Sequence, residues 1–230
     1  MSRESYAGPE ERLSLTVDSL NAVDLHDIPK QFDGKIRKVK LGIVFGRASH
    51  TALGLKDMIN DGIEVTFDGK FSETETQMPN AIMSYEEDGY HRLTVNAGAT
   101  YNAIAAAASA ARHSKIVLAL PADQPNHIEE ELDKLEKANE QLNRQQKITH
   151  LMCDVGGIAL ARARDHYTII ATGLYVPGTN PSDKDVRMTP AEALDAGADE
   201  VSIGRSITSA PDYEMRRAVD SILDDMARVL

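Results

Sequence analysis

Three charged residues in two short apolar runs could do chemistry together. Asp68 and Lys70 are two positions apart at the end of a β-branched run, and Lys40 lies inside an earlier apolar run. Side chains two positions apart in a strand point to the same face, and a buried lysine is costly unless a carboxylate pairs with it. The pattern therefore predicts a Lys–Asp–Lys cluster that keeps both amines charged and places an anion beside them. A purely structural ion-pair network would leave the same pattern.

The rest of the sequence supplies elements that could position such a cluster. Eight short runs have the length and residue types of strands, over 13–18, 36–43, 63–68, 91–96, 115–121, 148–153, 167–172 and 200–204. Helical patterns lie between several of them, over 100–112, 126–144, 189–197 and from 212 onward. Strands and helices that alternate in this way predict a (β/α)8 TIM barrel in one domain. The main alternative, a doubly wound open sheet, usually carries a glycine-rich phosphate loop after its first strand, and this sequence has none.

The composition narrows the class of protein. The chain of 230 residues has 25 Lys and Arg against 36 Asp and Glu, so its net charge of −11 argues against a nucleic-acid partner. The single cysteine, Cys153, cannot form an internal disulfide. No apolar run approaches the roughly 18 residues that a membrane span needs. We expect a cytoplasmic enzyme with an N-terminal tail over residues 1–12 and a barrel domain over 13–230.

Charged and polar residues cluster at the ends of the predicted strands, where the active sites of barrels lie. These residues are Asp18, Lys40, Asp68 with Lys70, Asn96, Asp123, Asp154 and Gly204-Arg205. Any one of them could be a solvated loop residue, but together they predict a site at one mouth. Barrels commonly bind phosphate after strands seven and eight. Gly204 lets the backbone approach a phosphate there, and Arg205 can bind two of its oxygens.

These motifs, taken in order, resemble those of the orotidine 5′-phosphate decarboxylase family. The family has an Asp ending the first strand, Lys-x-Gly in the second, Asp-x-Lys-x-x-Asp after the third, and a stretch similar to MTPAEA…AGAD…IGR-x-I near the end. This chain has Asp18, Lys40-Leu41-Gly42, Asp68-Gly69-Lys70 and the segments 188–193, 196–199 and 203–207. The resemblance runs from residue 13 to the end of the chain, and its C-terminal stretch is the most specific part.

The resemblance implies a reaction and a set of catalytic residues. The reaction is the conversion of orotidine monophosphate to uridine monophosphate and carbon dioxide, with no metal and no organic cofactor. Asp68 would face the departing carboxylate, and Lys70 would stabilise the carbanion and then donate its proton. Lys40 would contact the ribose and hold Asp68, while Asp18 would bind the ribose hydroxyls.

The resemblance also implies residues that bind the phosphate. The loop over 173–188 is rich in Gly, Pro and Asn and suits a mobile lid. We assign Pro177 and Lys184 of this loop to substrate binding, together with Gly204 and Arg205. Family members often have Gln at the place of Lys184, five residues before the Thr-Pro pair, and an ammonium could replace that amide as a phosphate donor.

Two places depart from the family pattern. The last acid of Asp-x-Lys-x-x-Asp falls on Glu73, and an insertion makes Glu75 a rival for that position. Because family members are dimers in which this acid enters the neighbour's site, the resemblance implies a homodimer and gives Glu73 that role. The fifth strand usually ends near a Ser or Thr that reads the pyrimidine ring, whereas here Leu120-Pro121-Ala122-Asp123 offers no hydroxyl.

Two other functions stay open. A magnesium-dependent sugar-phosphate lyase or decarboxylase of the same superfamily, such as hexulose-phosphate synthase, would look similar at Asp68-Gly69-Lys70. Those enzymes usually carry an acid at the position of Lys40. The altered fifth strand also leaves room for a barrel that binds phosphate without catalysis.

Overall fold

Eight parallel strands form a closed barrel. The computed structural model describes residues 6–18, 25–45, 49–121, 125–177 and 188–230. The strands follow the order of the chain, and β8 pairs with β1 to close the barrel. Their bounds are β1 Leu13–Val17, β2 Lys38–Gly42, β3 Glu64–Phe71, β4 Arg92–Asn96, β5 Lys115–Ala119, β6 His150–Asp154, β7 Thr168–Thr172 and β8 Glu200–Ile203. The prediction of a single-domain (β/α)8 barrel is confirmed.

Helices follow the strands and cover the barrel. They are α1 Ile28–Gln31, α2 Ser49–Asn60, α3 Met78–Glu86, α4 Tyr101–Ala110, α5 Pro125–Glu140, α6 Ile158–Arg162, α7 Pro190–Asp195, α8 Arg205–Thr208 and α9 Asp212–Met226, with 3-10 turns at Pro9–Glu11 and Ile43–Phe45. A capping box opens α7, since the Thr189 hydroxyl accepts from the Glu192 backbone and the Glu192 carboxylate accepts from the Thr189 backbone. None of the helices in the described ranges is long and apolar enough to cross a membrane.

The strands present apolar side chains to the helices and mostly polar ones to the barrel interior. Alternation places residues such as Leu15, Val39 and Leu93 in the large apolar core under the helices. The alternate positions are buried but polar: Ser14, Thr16, Lys38, Lys40, Thr66, Asp68, Arg92, Thr94, His150, Thr168, Glu200 and Ser202. A separate apolar cluster of Val117, Met152 and Ile170 belongs to β5, β6 and β7. Most of the buried polar residues therefore lie on β1–β4 and β8, and β6 and β7 add His150 and Thr168.

The N-terminal ends of the strands are tied together by a buried ion network around Glu200. Its fully buried carboxylate accepts from Arg92 at 2.8 and 3.0 Å, from Lys38 at 2.7 Å and from the hydroxyl of Tyr6 at 2.7 Å. Burial alone would raise the pKa of Glu200, but Arg92 and Lys38 lower it to about 2. The Glu200 network thus lies at the base of the barrel, opposite the mouth. In barrels of this kind, charged residues at the base serve stability rather than catalysis.

The network also involves residues that we assigned to the N-terminal tail. Besides its hydrogen bond to Glu200, Tyr6 places its ring 4.7 Å from the Arg12 guanidinium and 4.7 Å from the Lys38 amine. These are cation–π distances. From Tyr6 onward, the chain before β1 therefore packs on the base of the barrel, because it supplies an aromatic ring and a hydroxyl to the buried charges.

Candidate active site

The carboxylate of Asp68 lies at the centre of a charged cluster at the C-terminal ends of the strands. Its Oδ2 atom is 2.5 Å from Nζ of Lys40 and 2.9 Å from Nζ of Lys70. The side chains of Asp68 and Lys40 are only 4% and 9% exposed, whereas that of Lys70 is 54% exposed. The structure thus brings the three residues together and leaves one amine, that of Lys70, open to a molecule entering the mouth.

Burial and the two lysines act in opposite directions on Asp68. Removal from water would raise the pKa of its carboxyl group, but the charges and hydrogen bonds of Lys40 and Lys70 outweigh burial and lower the pKa below its usual value. Asp68 is therefore an anion at neutral pH, and its charge holds the two ammonium groups in place. Such a fixed arrangement of charges can stabilise an anion that forms during a reaction.

The local backbone differs from the regular strand that we predicted. We expected the third strand to end at Asp68, with alternation placing Lys70 beside it, but β3 continues to Phe71 and contains a bulge. Phe67 pairs with Leu93 and Phe71 pairs with Val95. Lys70 adopts a left-handed φ of 44°, which is uncommon for a long side chain. The side chains of Asp68 and Lys70 meet because of this bulge rather than by simple alternation.

Glycine is required at the middle of the bulge. A Cβ atom on Gly69 would be only 2.6 Å from the ring of Phe67. That ring is buried and stacks on Tyr85, with centroids 4.3 Å apart, so it cannot move aside cheaply. The middle residue of Asp68-Gly69-Lys70 thus has a structural reason.

A hydroxyl that sequence reasoning missed completes the cluster. Thr94 on β4 is fully buried, and its Oγ1 atom donates to Asp68 Oδ1 at 3.0 Å. The same Oγ1 accepts from the backbone N–H of Lys70 at 2.8 Å. A threonine inside a strand is ordinary for its residue type, so the only sequence signal was its inward position two residues before the strand end.

Asp18 stands beside the second strand because of a glycine there. It follows β1 directly and is exposed, and Gly42 ends β2. A Cβ atom on Gly42 would lie 2.6 Å from Asp18 Oδ1 and 3.3 Å from Asp18 Cα. Gly42 is in turn the register partner of Asp68. The glycine of Lys40-Leu41-Gly42 therefore admits Asp18 to the edge of the charged cluster.

Gly204 and Arg205 lie at the same mouth, after β8. Gly204 packs on β1, where an added Cβ atom would be 3.2 Å from Thr16 Cβ and 3.3 Å from the Thr16 carbonyl oxygen. Arg205, which begins the short helix α8, is exposed. The position suits an anionic group above the end of β8, because a guanidinium can bind two oxygens at once. In the ranges that the structure describes, no three His, Cys, Asp or Glu side chains are grouped so as to hold a metal ion.

Comparison with known proteins places the chain in a family. The model of the orotidine 5′-phosphate decarboxylase / HUMPS family matches residues 11–218. The chain belongs to this family. The prediction made from Asp18, Lys40-Leu41-Gly42, Asp68-Gly69-Lys70 and the C-terminal motifs is confirmed.

Relatives in the orotidine 5′-phosphate decarboxylase / HUMPS family match most of the chain. The orotidine 5′-phosphate decarboxylase of Parasynechococcus marenigrum is 26% identical over 226 residues, which cover 90% of this chain and 91% of the relative. The orotidine 5′-phosphate decarboxylase of Afipia carboxidovorans is 25% identical over 233 residues, which cover 97% of this chain and 98% of the relative. Both names denote a carboxy-lyase, in agreement with the enzyme class that we predicted.

Solved structures in the comparison support the fold. The crystal structure of orotidine 5′-phosphate decarboxylase from Pyrococcus horikoshii has a TM-score of 0.67 at 18% identity and covers 93% of this chain and 98% of its own. The crystal structure of an uncharacterised conserved protein from Geobacillus kaustophilus has a TM-score of 0.65 at 17% identity. It covers 93% of this chain and 99% of its own. At these identities the likeness shows the barrel fold alone.

Several other predicted residues of this family member fall on loops. Glu73 and Glu75 follow β3, both are exposed, and neither forms an ion pair or hydrogen bond with another described residue. Pro177 is exposed in the turn after β7. Lys184 and Asp123 lie outside the described residues. The structure therefore brings Asp18, Lys40, Asp68 and Lys70 to one place, with Gly204 and Arg205 at the same mouth, and does not join either glutamate to them within one chain.

Proposed function

We propose that this chain decarboxylates orotidine 5′-phosphate to uridine 5′-phosphate and carbon dioxide, without a metal or an organic cofactor. The observation that carries the proposal is the Asp68 carboxylate held between Lys40 and Lys70, with the Lys70 amine open to the mouth. Family membership and the shared name of the relatives support the substrate. The proposal includes a cytoplasmic location and a role in pyrimidine synthesis.

The charges of the cluster suit a reaction that passes through a carbanion. Cleavage of the bond between the ring carbon and the carboxylate releases carbon dioxide and leaves the electron pair on that carbon. The Lys70 ammonium lies next to this charge, stabilises it and transfers a proton to the carbon. The product is uridine monophosphate, and the neutral Lys70 amine regains a proton from water. Asp68 faces the departing carboxylate and keeps the Lys70 amine in position at 2.9 Å.

The rest of the nucleotide would be held around this centre. In the proposal, Lys40 and Asp18 bind the ribose. This agrees with the ion pair of Lys40 with Asp68 and with the packing of Asp18 on Gly42, the register partner of Asp68. The phosphate would be bound by Gly204, Arg205, Pro177 and Lys184. Exposure of Arg205 and Pro177 at the mouth supports this assignment.

We also propose a homodimer in which Glu73 enters the site of the second subunit. Support comes from the exposure of Glu73 and from the apolar residues nearby in the fold. Ile43 and Val44 are 71% and 48% exposed on the 3-10 turn that follows β2, and this turn contacts β3. Exposed apolar surface marks an interaction site when it is large and contiguous, so in the proposal these two side chains are part of the surface that the partner covers. Glu75 is the rival of Glu73 for this role.

The two alternatives make different demands on the cluster. A magnesium-dependent sugar-phosphate lyase would need Asp68 to bind a cation, yet its Oδ2 atom is already taken by two ammonium groups. A barrel that only binds phosphate could use the buried Lys40–Asp68 pair for stability, but it would not need the Lys70 amine that is open to the mouth beside Asp68. Support for such a barrel comes from the segment after β5, where Leu120 and Pro121 supply no hydroxyl.

One experiment separates the three functions. The purified protein is incubated with orotidine monophosphate, with and without a strong chelator, and uridine monophosphate is quantified. The proposal predicts equal turnover in both samples and none for Lys70→Ala. Turnover of a hexulose phosphate that stops with chelator would favour the lyase. Binding of uridine monophosphate without turnover of either substrate would favour the non-catalytic barrel.

A further inference from the structure

We propose that Thr94 is a positioning residue that fixes the catalytic geometry of both Lys70 and Asp68 through its single hydroxyl. The activity part of this inference rests on the proposed decarboxylation. Thr94 does not reach the mouth, because it is fully buried on β4. It would therefore act on the reaction through the two residues that it contacts, and it would not touch substrate.

The first contact replaces a hydrogen bond that the bulge removes from the sheet. Three residues of β3, 68–70, stand opposite the single residue Thr94 between the pairs Phe67–Leu93 and Phe71–Val95. A bulge leaves backbone groups without ladder partners. The backbone N–H of Lys70 finds its partner in Thr94 Oγ1 at 2.8 Å. Because Lys70 is held at a φ of 44°, which costs free energy for a residue with a Cβ atom, this bond stabilises an unfavourable conformation.

The second contact follows from the first. A hydroxyl has one proton to donate and lone pairs to accept. Since Thr94 Oγ1 accepts from the Lys70 backbone, its own proton is free to point to Asp68 Oδ1, 3.0 Å away. The other oxygen of Asp68 receives Lys40 and Lys70. The carboxylate is thus held at both oxygens, and its plane cannot rotate away from the Lys70 amine without losing one of these bonds.

This arrangement predicts a measurable effect on the titration of Asp68. A hydrogen bond donated to a carboxylate favours its charged form, so loss of the hydroxyl raises the pKa of Asp68. The charged groups that act on Asp68 in the described part of the chain are Lys40 from β2 and Lys70 from β3 itself. Asp18, which follows β1, packs on Gly42, the register partner of Asp68, and β4 contributes the Thr94 hydroxyl, which does not titrate.

The test compares three substitutions. Thr94→Val keeps the shape of the side chain and removes the hydroxyl, while Thr94→Ser keeps the hydroxyl and removes a methyl group. Thr66→Val is the matched control, because Thr66 is also a buried threonine inside the barrel and its hydroxyl is not bonded to Asp68 or Lys70. Thr94→Ala serves in place of Thr94→Val if the latter does not fold, as judged by thermal unfolding.

We expect Thr94→Val to lower kcat by on the order of tenfold to a hundredfold, the range for a lost bond to a charged group, with a much smaller change in KM. The acid limb of the kcat profile should move to higher pH, because Asp68 must be ionised and its pKa is raised. Thr94→Ser should restore most of kcat and the original acid limb, and Thr66→Val should change neither. An unchanged kcat and acid limb in a folded Thr94→Val protein would overturn the inference.

A second readout needs no turnover. The carboxyl carbon of Asp68 is titrated by NMR in isotopically labelled protein, with Asp68→Asn used to assign the signal. The inference predicts a higher pKa in Thr94→Val than in the unsubstituted chain and in Thr66→Val. Equal pKa values would contradict the role of Thr94 whatever the substrate is. Failure of the unsubstituted chain to convert orotidine monophosphate would contradict the proposed function instead.

Discussion

Replacement of Lys40 by methionine tests how much the buried pair with Asp68 stabilises the protein. The substitution keeps an unbranched side chain, one atom shorter, and removes the ammonium that lies 2.5 Å from Asp68 Oδ2. Removing one partner of a buried ion pair costs about 3–5 kcal/mol. Asp68 retains Lys70 and the Thr94 hydroxyl, so we expect about 3 kcal/mol, the lower end of that range. With a urea m-value of about 2 kcal/mol/M, the unfolding midpoint would fall by about 1.5 M.

The effect of Lys40→Met should depend on pH in a defined direction. The folded protein holds the pKa of Asp68 below its usual value, with Lys40 as the strongest influence that lowers it. A carboxyl group of this kind contributes stability above its unfolded pKa, and this stability is lost as the pH falls through the folded pKa. The difference in unfolding free energy between the unsubstituted chain and Lys40→Met should therefore be largest at neutral pH and shrink in acid.

Urea unfolding of a double-mutant cycle is the assay. The cycle combines Lys40→Met with Asp68→Asn, which removes the unpaired charge, so the double variant should be less destabilised than the sum of the single ones. Lys35→Met is the control, because Lys35 lies 2.5 Å from Asp220 but both side chains are about 40% exposed (41% and 43%), and surface pairs contribute little. Additive effects of Lys40→Met and Asp68→Asn would refute the reasoning.

Three further predictions concern the reaction and its ligands. Lys70→Ala should abolish turnover of orotidine monophosphate and still bind uridine monophosphate, since the exposed amine serves as charge stabiliser and proton donor; near-normal turnover would remove Lys70 from the mechanism. Inactive Asp68→Ala and Glu73→Ala chains should partly recover activity when they are mixed, because each mixed dimer would contain one intact site. If dimers that have demonstrably exchanged subunits show no recovery, the acid acts in its own chain or Glu75 has the role. Arg205→Ala should weaken the binding of uridine monophosphate by ~1.5–3 kcal/mol, roughly ten- to a hundredfold. The binding of uridine should barely change, and calorimetry measures both ligands. Equal losses for the two ligands would place Arg205 outside the phosphate site.

The strands were predictable because their residue types and lengths are local properties. Each predicted run overlaps one observed strand, and the alternation of apolar and polar residues also placed Lys40 and Asp68 inside the barrel. The bulge in β3 was not predictable in this way. A register change depends on the neighbouring strand, and the only local sign of it was Gly69 between two charged residues.

The charged base of the barrel and the Thr94 contacts depend on residues far apart in the sequence. Glu200 meets Lys38 and Arg92, which are 162 and 108 positions away. The sequence contained one sign of this charged base. Lys38 and Lys40 occupy alternate positions of one strand, so both side chains must face the barrel interior. For Thr94 there was no sign beyond its inward position, since only the three-dimensional bulge gives its hydroxyl two partners.

The most direct test of the proposed reaction measures which hydrogen isotope the ring carbon receives when the enzyme turns over in heavy water. The Lys70 ammonium exchanges its protons with solvent, so it would deliver a deuteron to the carbon that loses carbon dioxide. We predict, by NMR of the product, one deuterium at that carbon of uridine monophosphate for each carbon dioxide released, with chelator present. Absence of uridine monophosphate would contradict the proposed function, and product carrying hydrogen at that carbon would contradict protonation by Lys70.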